Sequence, residues 1–272
     1  MRYLRKSRSA KGVSLAALEP AVYFIGAGTG DPELLTVKAQ KILAQADVVV
    51  YADSLVPRQL LQSVRADAER VATGNQTLET IVPLLCDRVR AGKSVARLHS
   101  GDLTLYSAIT EQIEALNAEN LPFELIPGIS AYQTAAAKLG IELTIPTLVQ
   151  TIILTRASGS ASPVPAAEEL ASLAAHRASL CLYLSARQVD KAQAQLLQHY
   201  PETTPVAICY RLDWPDEQIW LVPLRDLATA TRDRNLIRTT MYLISPDSGK
   251  TPGLRSRLYH PEHSHLFRPA KS

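Results

Sequence analysis

Residues 21–25 form an apolar, β-branched and aromatic run that stops on Gly26-Ala27-Gly28-Thr29-Gly30, after which the chain meets Asp31-Pro32-Glu33. A strand that runs into small residues and then into an Asp-Pro pair has few alternatives. Asp supplies a helix N-cap, Pro presets the first helical φ, and the chain turns a tight corner from strand to helix. The helix is expected to continue through Leu34, Leu35, Val37, Ala39, Ile42 and Leu43, and residues 47–51 then read as a buried strand. This β-turn-α-β unit is the building block of an α/β fold with a parallel sheet.

The pattern recurs. A strand at residues 94–98 leads into His99-Ser100-Gly101-Asp102 and a helix through Leu105, Ala108, Ile109, Ile113 and Leu116. A strand at 123–126 leads into Pro127-Gly128 and a helix over 132–139. Between these units Leu78, Ile81, Val82, Leu85, Cys86 and Val89 keep helical spacing, with Pro83 inside the pattern. From Gln150 the character changes: a strand at 151–155, a Ser, Pro and Ala-rich loop at 157–165, and apolar runs at 180–184, 206–210, 218–222 and 239–244. Helical patterns lie between the first two runs and across 224–231, and the later strands follow one another closely, which predicts a second α/β domain with a mixed, partly antiparallel sheet. The expected organisation is a basic tail over 1–20, an α/β domain over 21–145, a second over 146–245 and a tail over 246–272, with the change-over at 140–149.

With 46% hydrophobic and 20% charged residues among 272, the chain suits a globular protein rather than a disordered one. No apolar run approaches the roughly 18 residues that cross a bilayer, so no membrane span is expected. Cys86, Cys181 and Cys209 are odd in number and widely spaced, which argues against a disulfide framework or a zinc ribbon and for a reducing cytoplasm. The net charge of +3 resides in the two ends, leaving the stretch between them mildly acidic, so no nucleic-acid partner is expected. The basic N-terminus lacks an apolar stretch and reads as a solvated tail rather than a secretory signal. His260, His263 and His265 stand in a polar tail without a supporting cysteine or acidic pair, and no metal site is expected there.

Three small-residue turns at three strand ends matter because ligands of open α/β sheets bind beyond the carboxyl ends of the strands. The first turn lacks the third glycine of a dinucleotide fingerprint and no Lys-Ser or Lys-Thr follows it, so dinucleotide and triphosphate readings fit poorly. Taken alone it reads equally as a tight corner or a cofactor loop, and a nicotinamide-dependent oxidoreductase stays open on that feature. Asp102, by itself, reads first as the N-cap of the helix after it.

The ordered segments VYFIGAGTGDPELLT (22–36), YADSLVP (51–57), ARLHSGDLTLYSA (96–108) and PGISAYQTAAAKLG (127–140) resemble the tetrapyrrole methyltransferase family. LTRASG (154–159), TPVAICYRLDWPDEQI (204–219) and RTTMYLIS (238–245) extend the resemblance over residues 20–245. YADSLVP, RLHSGD and LTRASG with the Trp-Pro pair are most similar to the members that methylate carbon 11 of precorrin-4, or its cobalt form, in cobalamin synthesis; methylation of another tetrapyrrole, such as uroporphyrinogen III, is the alternative. The resemblance implies two α/β domains with the active site in the cleft between them, the class III arrangement of S-adenosylmethionine-dependent methyltransferases, and a homodimer.

Carried over by position, the resemblance implies that Ser100, Gly101, Asp102, Leu105, Ser130 and Ala131 contact S-adenosylmethionine, with Leu184 and Leu212 from the second half. The first glycine turn, with Gly28 and Asp31, then lies on the tetrapyrrole side. Three departures stand out: Thr29 in place of a proline, Leu103 in place of a proline, and Leu212-Asp213 in place of a small residue and threonine. A methyl group on a sulfonium is already activated, so alignment and exclusion of water are the protein's main tasks. His99 and Asp102 are the candidates for acid–base help. A polycarboxylate substrate calls for cationic forks, and Arg58, Arg97 and Arg156 lie in or beside the motif segments, with Ser54 and Tyr106 as hydrogen-bonding neighbours.

Overall fold

The structure, a computed structural model, describes residues 17–159, 163–246 and 264. The basic N-terminal tail up to residue 16, most of the C-terminal tail, and His260, His263 and His265 lie outside the described residues. The chain forms two compact units. One runs to Thr134 and takes in Leu212–Asp216; the other comprises Ala135–Arg211 and resumes at Glu217. The passage between them falls inside a helix, whereas the sequence reading placed it at 140–149.

The first unit contains β1 (Val22–Gly26), α1 (Val37–Leu43), β2 (Val48–Tyr51), β3 (Glu69–Ala72), α2 (Leu78–Arg90), β4 (Val95–His99), α3 (Thr110–Ala118) and β5 (Phe123–Ile126), then enters α4 (Ala131–Leu139). Its five strands are all parallel in the order β3-β2-β4-β1-β5. Alternate side chains feed two apolar layers, as expected of a sheet buried on both faces. Tyr23, Ile25, Val49, Ala96 and Leu98 pack with Ala39, Ile42 and Leu43 of α1. Val22, Phe24, Val48, Val50 and Val95 pack with Ile81, Leu85 and Val89 of α2 and Leu116 of α3.

Two helices begin later than the sequence pattern suggests. Asp31 does cap, its Oδ1 accepting the Glu33 N–H at 2.8 Å, but only a single 3₁₀ turn over Pro32–Leu34. The chain extends again at Leu35, and α1 starts afresh with Thr36 as N-cap, whose Oγ1 accepts the Ala39 N–H at 3.2 Å. Likewise α3 starts at Thr110, because residues 103–109 form a loop in which Tyr106 and Ala108 hold positive φ. Asp102 therefore does not cap the helix that follows. Strand β3 escaped the sequence reading: it is four residues at the sheet edge with alternating half-burial, too short to show a period.

The second unit holds β6 (Ile152–Arg156), α5 (Leu170–Ala174), β7 (Ser179–Tyr183), α6 (Val189–Leu196), β8 (Pro205–Tyr210), β9 (Gln218–Pro223), α7 (Leu227–Asp233) and β10 (Thr240–Ile244). Its sheet runs β6-β7-β10-β8-β9, with β6 and β7 parallel and the other pairs antiparallel, the mixed arrangement that the closely spaced late strands predict. One face packs Leu180, Leu182, Val206, Ile208, Tyr242 and Ile244 against Val189, Ala192 and Leu196 of α6 and Leu227 of α7. Among the described residues no helix is long and apolar enough to cross a membrane.

Candidate active site

In the first unit the turns after β1, β4 and β5 are fused backbone to backbone. Ala27 N–H donates to the His99 carbonyl at 2.8 Å, and Gly28 and Gly101 exchange hydrogen bonds at 3.1 and 2.7 Å. The third turn closes on these two so tightly that a Cβ on Gly128 would lie 2.4 Å from the carbonyl oxygens of both Gly26 and Gly101. Glycine at 26 and 128 is thus required by close approach of backbones. The amides of Ala27 and Gly28, which a phosphate-binding turn would point at its ligand, are used inside the protein. That disfavours reading the first turn as a nucleotide cradle.

Asp102 pins this junction. Its Oδ2 accepts the Gly128 N–H at 3.0 Å, while Oδ1 accepts the Thr104 N–H at 2.9 Å and the Thr104 hydroxyl. Burial alone would raise its pKa, but the bonds from Thr104, Gly128 and the Leu103 N–H outweigh burial and hold it below the ordinary aspartate value. Asp102 is an ionised carboxylate engaged with backbone donors, poorly suited to act as a general base. For His99, burial and then the charge of Arg97 push the pKa down to about 3, against a smaller upward pull from its bond to the Ser107 backbone. The imidazole is neutral near pH 7 and its Nε2 is enclosed without a partner. It cannot serve as an imidazolium acid there.

Around this junction the structure gathers Ser100, Gly101, Asp102, Gly28, Ser130 and the first turn of α4 with Ala131. The side on which Gly101 would carry a Cβ is open apart from the Ser130 Cα at 3.9 Å. Ser130 donates its N–H to Gln133 Oε1 at 2.9 Å, half of a capping box that fixes the start of α4. Leu105 and Tyr106 follow in the strained loop, held where Ser107 Oγ donates to the Asp102 carbonyl at 3.0 Å. The open face at Gly101 lies beside the fixed negative charge of Asp102, an environment that suits a cationic group. Exposed Ser54 and Arg58 flank the turn after β2.

The remaining expected residues are held differently. Leu212 is buried, on the segment Leu212–Asp216 that belongs to the first unit. There the departures Thr29 and Asp213 meet: Thr29 Oγ1 donates to Asp213 Oδ2 and lies 3.0 Å from Thr134 Oγ1. Gln59 Nε2 clamps the same pair of segments, donating to the Gly30 carbonyl at 2.8 Å and the Asp213 carbonyl at 2.7 Å. Sequence reasoning missed this network, although Thr and Asp at two atypical positions were its visible signal. In the second unit Leu184 follows β7 with 67% of its surface exposed and φ of 52°, a costly state for a leucine and one that strained functional positions show. Arg156, at the end of β6, donates to the carbonyls of Ala157 at 3.4 Å and Pro163 at 3.3 Å, so its guanidinium helps to hold its own loop.

A parallel α/β unit whose glycine-fused strand ends are pinned by an ionised aspartate is thus followed in the chain by a mixed-sheet α/β unit. The chain belongs to the family of tetrapyrrole (corrin/porphyrin) methylases, whose model matches residues 21–228. It is 43% identical over 250 residues to the precorrin-4 C(11)-methyltransferase of Pseudomonas aeruginosa, covering 92% of this chain and 99% of that protein. It is 42% identical over 252 residues to the cobalt-precorrin-4 C(11)-methyltransferase of Priestia megaterium, covering 91% and 97%. Among solved structures, the cobalt-precorrin-4 methyltransferase CbiF superposes with a TM-score of 0.80 at 43% identity, over 83% of this chain and 95% of that one. The uroporphyrin-III C-methyltransferase of Thermus thermophilus in complex with S-adenosylhomocysteine gives 0.68 at 25% identity, over 83% and 97%.

Proposed function

We propose that this protein transfers a methyl group from S-adenosylmethionine to carbon 11 of precorrin-4 or cobalt-precorrin-4 in cobalamin synthesis. The observation that carries the reading is the match to enzymes of that one reaction, at 42–43% identity and over 97–99% of their own lengths. When bound, S-adenosylmethionine supplies a methyl group on a sulfonium that is already activated toward a nucleophilic ring carbon. The residues present suit a cofactor that needs no base to activate it. Gly101 leaves an open face at the junction, with Ser100, Ser130, Ala131, Leu105, Leu184 and Leu212 as the other cofactor contacts of the reading. Asp102 keeps the three turns in register and places a negative charge beside the bound cation. Neutral His99 contributes shape rather than a proton. Gly28, Asp31, Ser54, Arg58, Tyr106 and Arg156 stand as the substrate side of the reading. The three cysteines are free and buried, in keeping with a reducing cytoplasm, and a homodimer goes with the family.

Mass spectrometry after anaerobic incubation with methyl-labelled S-adenosylmethionine tests the proposal, with precorrin-4, its cobalt form and uroporphyrinogen III supplied in parallel. One labelled methyl on a precorrin-4 species is the expected outcome, and the faster of the two species identifies the physiological form. Transfer to uroporphyrinogen III alone would move the protein to another methylation step.

A further inference from the structure

Strand β4 places one charged side chain inside the protein. Ala96 and Leu98 face the α1 layer, whereas Arg97 points with Val95 toward the layer covered by α2 and α3, between Phe24 of β1 and Val50 of β2 in register. Only 6% of the residue is exposed, too little to hydrate a full charge. Its Nη1 donates to Thr73 Oγ1 at 2.9 Å, and Thr73 in turn donates its hydroxyl to the Tyr51 carbonyl at 3.2 Å. Nε is enclosed and has no partner. Burial lowers the guanidinium pKa to about 10, which still leaves it charged at neutral pH.

Arg97 has no carboxylate against it among the described residues, in contrast to Arg65 with Asp47 and Asp67, Arg88 with Glu69, and Arg90 with Asp87 and Glu119. An enclosed, uncompensated charge opposes folding, and a well-packed apolar residue in its place would be neutral or stabilising. The compensating anion is therefore to be sought in a ligand. The position suits one: Arg97 sits in the middle of β4, but its guanidinium reaches Thr73, the residue just past the carboxyl end of β3, on the side of the sheet where open α/β folds bind ligands. With Nη1 engaged by Thr73, the Nε and Nη2 edge remains, which matches a carboxylate side-on.

We propose that Arg97 receives one carboxylate of the tetrapyrrole substrate, as an anion subsite closed on its far side by Thr73. This rests on the methyltransferase reading, which supplies a substrate bearing several carboxylates. Nε is enclosed in this structure, so the subsite requires the backbone that covers this edge to give way as the carboxylate enters.

The test compares the full-length wild type with Arg97→Met and Arg97→Lys in three measurements: apparent Tm without ligand, calorimetric affinity for S-adenosylhomocysteine, and fluorescence titration with uroporphyrin III, a non-reacting tetrapyrrole polycarboxylate. Arg97→Met is expected to keep or raise the Tm, to leave S-adenosylhomocysteine affinity unchanged, and to weaken uroporphyrin binding roughly tenfold or more, the size of a lost charge-assisted pair. Arg97→Lys, which keeps the charge but not the fork, should fall between, and it replaces the methionine variant if that fails to fold. A lowered Tm with intact uroporphyrin affinity, or equal loss of both ligands, would show a structural strap and overturn the subsite. Wild-type protein that binds S-adenosylhomocysteine but no tetrapyrrole overturns the substrate reading and the subsite with it.

Discussion

Asp102 shows how one residue type at a strand end can be read correctly in position and wrongly in role. An Asp before a helical pattern suggests an N-cap; here the carboxylate bonds Thr104 and Gly128 and joins two turns. Its folded pKa lies below the ordinary aspartate value, so its contribution to stability is present above the unfolded pKa near ~3.9 and is lost as pH falls through the folded value. An Asp102→Asn variant should accordingly be less stable than wild type at pH 7, with the gap narrowing as pH falls below about 4. Urea unfolding at several pH values checks this, and a gap constant with pH would mean that ionisation is not the source. The same variant is expected to weaken S-adenosylhomocysteine binding, read by calorimetry at pH 7. The identity of Asp102 was legible in the sequence, but its partners were not, because Gly128 is 26 residues away and only the closed sheet brings it within reach.

At the scale of elements, the glycine turns separate two physical demands that look alike in a sequence. Gly128 is needed because backbone from two other turns fills the space of a Cβ, whereas Gly28 has open space and a φ of 71°. Gly128→Ala should cost about 1–3 kcal/mol or more, as overpacking against immobile backbone does. Gly28→Ala should cost about 1–2 kcal/mol, the penalty of left-handed backbone for a residue with a Cβ. Chemical denaturation ranks the two: Gly128→Ala is expected to be the more costly, and a larger cost for Gly28→Ala would contradict the fused-turn geometry. Most strands were visible as apolar runs between turn residues, since burial on both sheet faces leaves that mark. The starts of α1 and α3 are not legible in the sequence, because apolar spacing continues through a 3₁₀ turn and a strained loop that periodicity alone cannot distinguish from helix.

At the scale of the whole molecule, the chain leaves the second unit at Leu212 and rejoins it at Glu217, and the intervening segment is bound to the first glycine turn by Thr29 and Gln59. The resemblance singles out Thr29 and Asp213 as atypical positions, and the structure makes them partners. A double-mutant cycle with Thr29→Val and Asp213→Ala is expected to show a coupling of about 0.5–3 kcal/mol in denaturant unfolding; additive losses would mean that the two changes are independent. The sequence by itself determined two α/β units, every strand but the short edge strand β3, the strand-end turns and the family, because these follow from local hydrophobic periodicity, turn chemistry and motif order. Only the tertiary structure decided which turn amides are already used, that Asp102 is a pin, that Thr29 meets Asp213, and that Arg97 is enclosed without a counter-charge. Those properties depend on residues far apart in the chain, and burial and hydrogen-bond partners exist only once the sheet has closed.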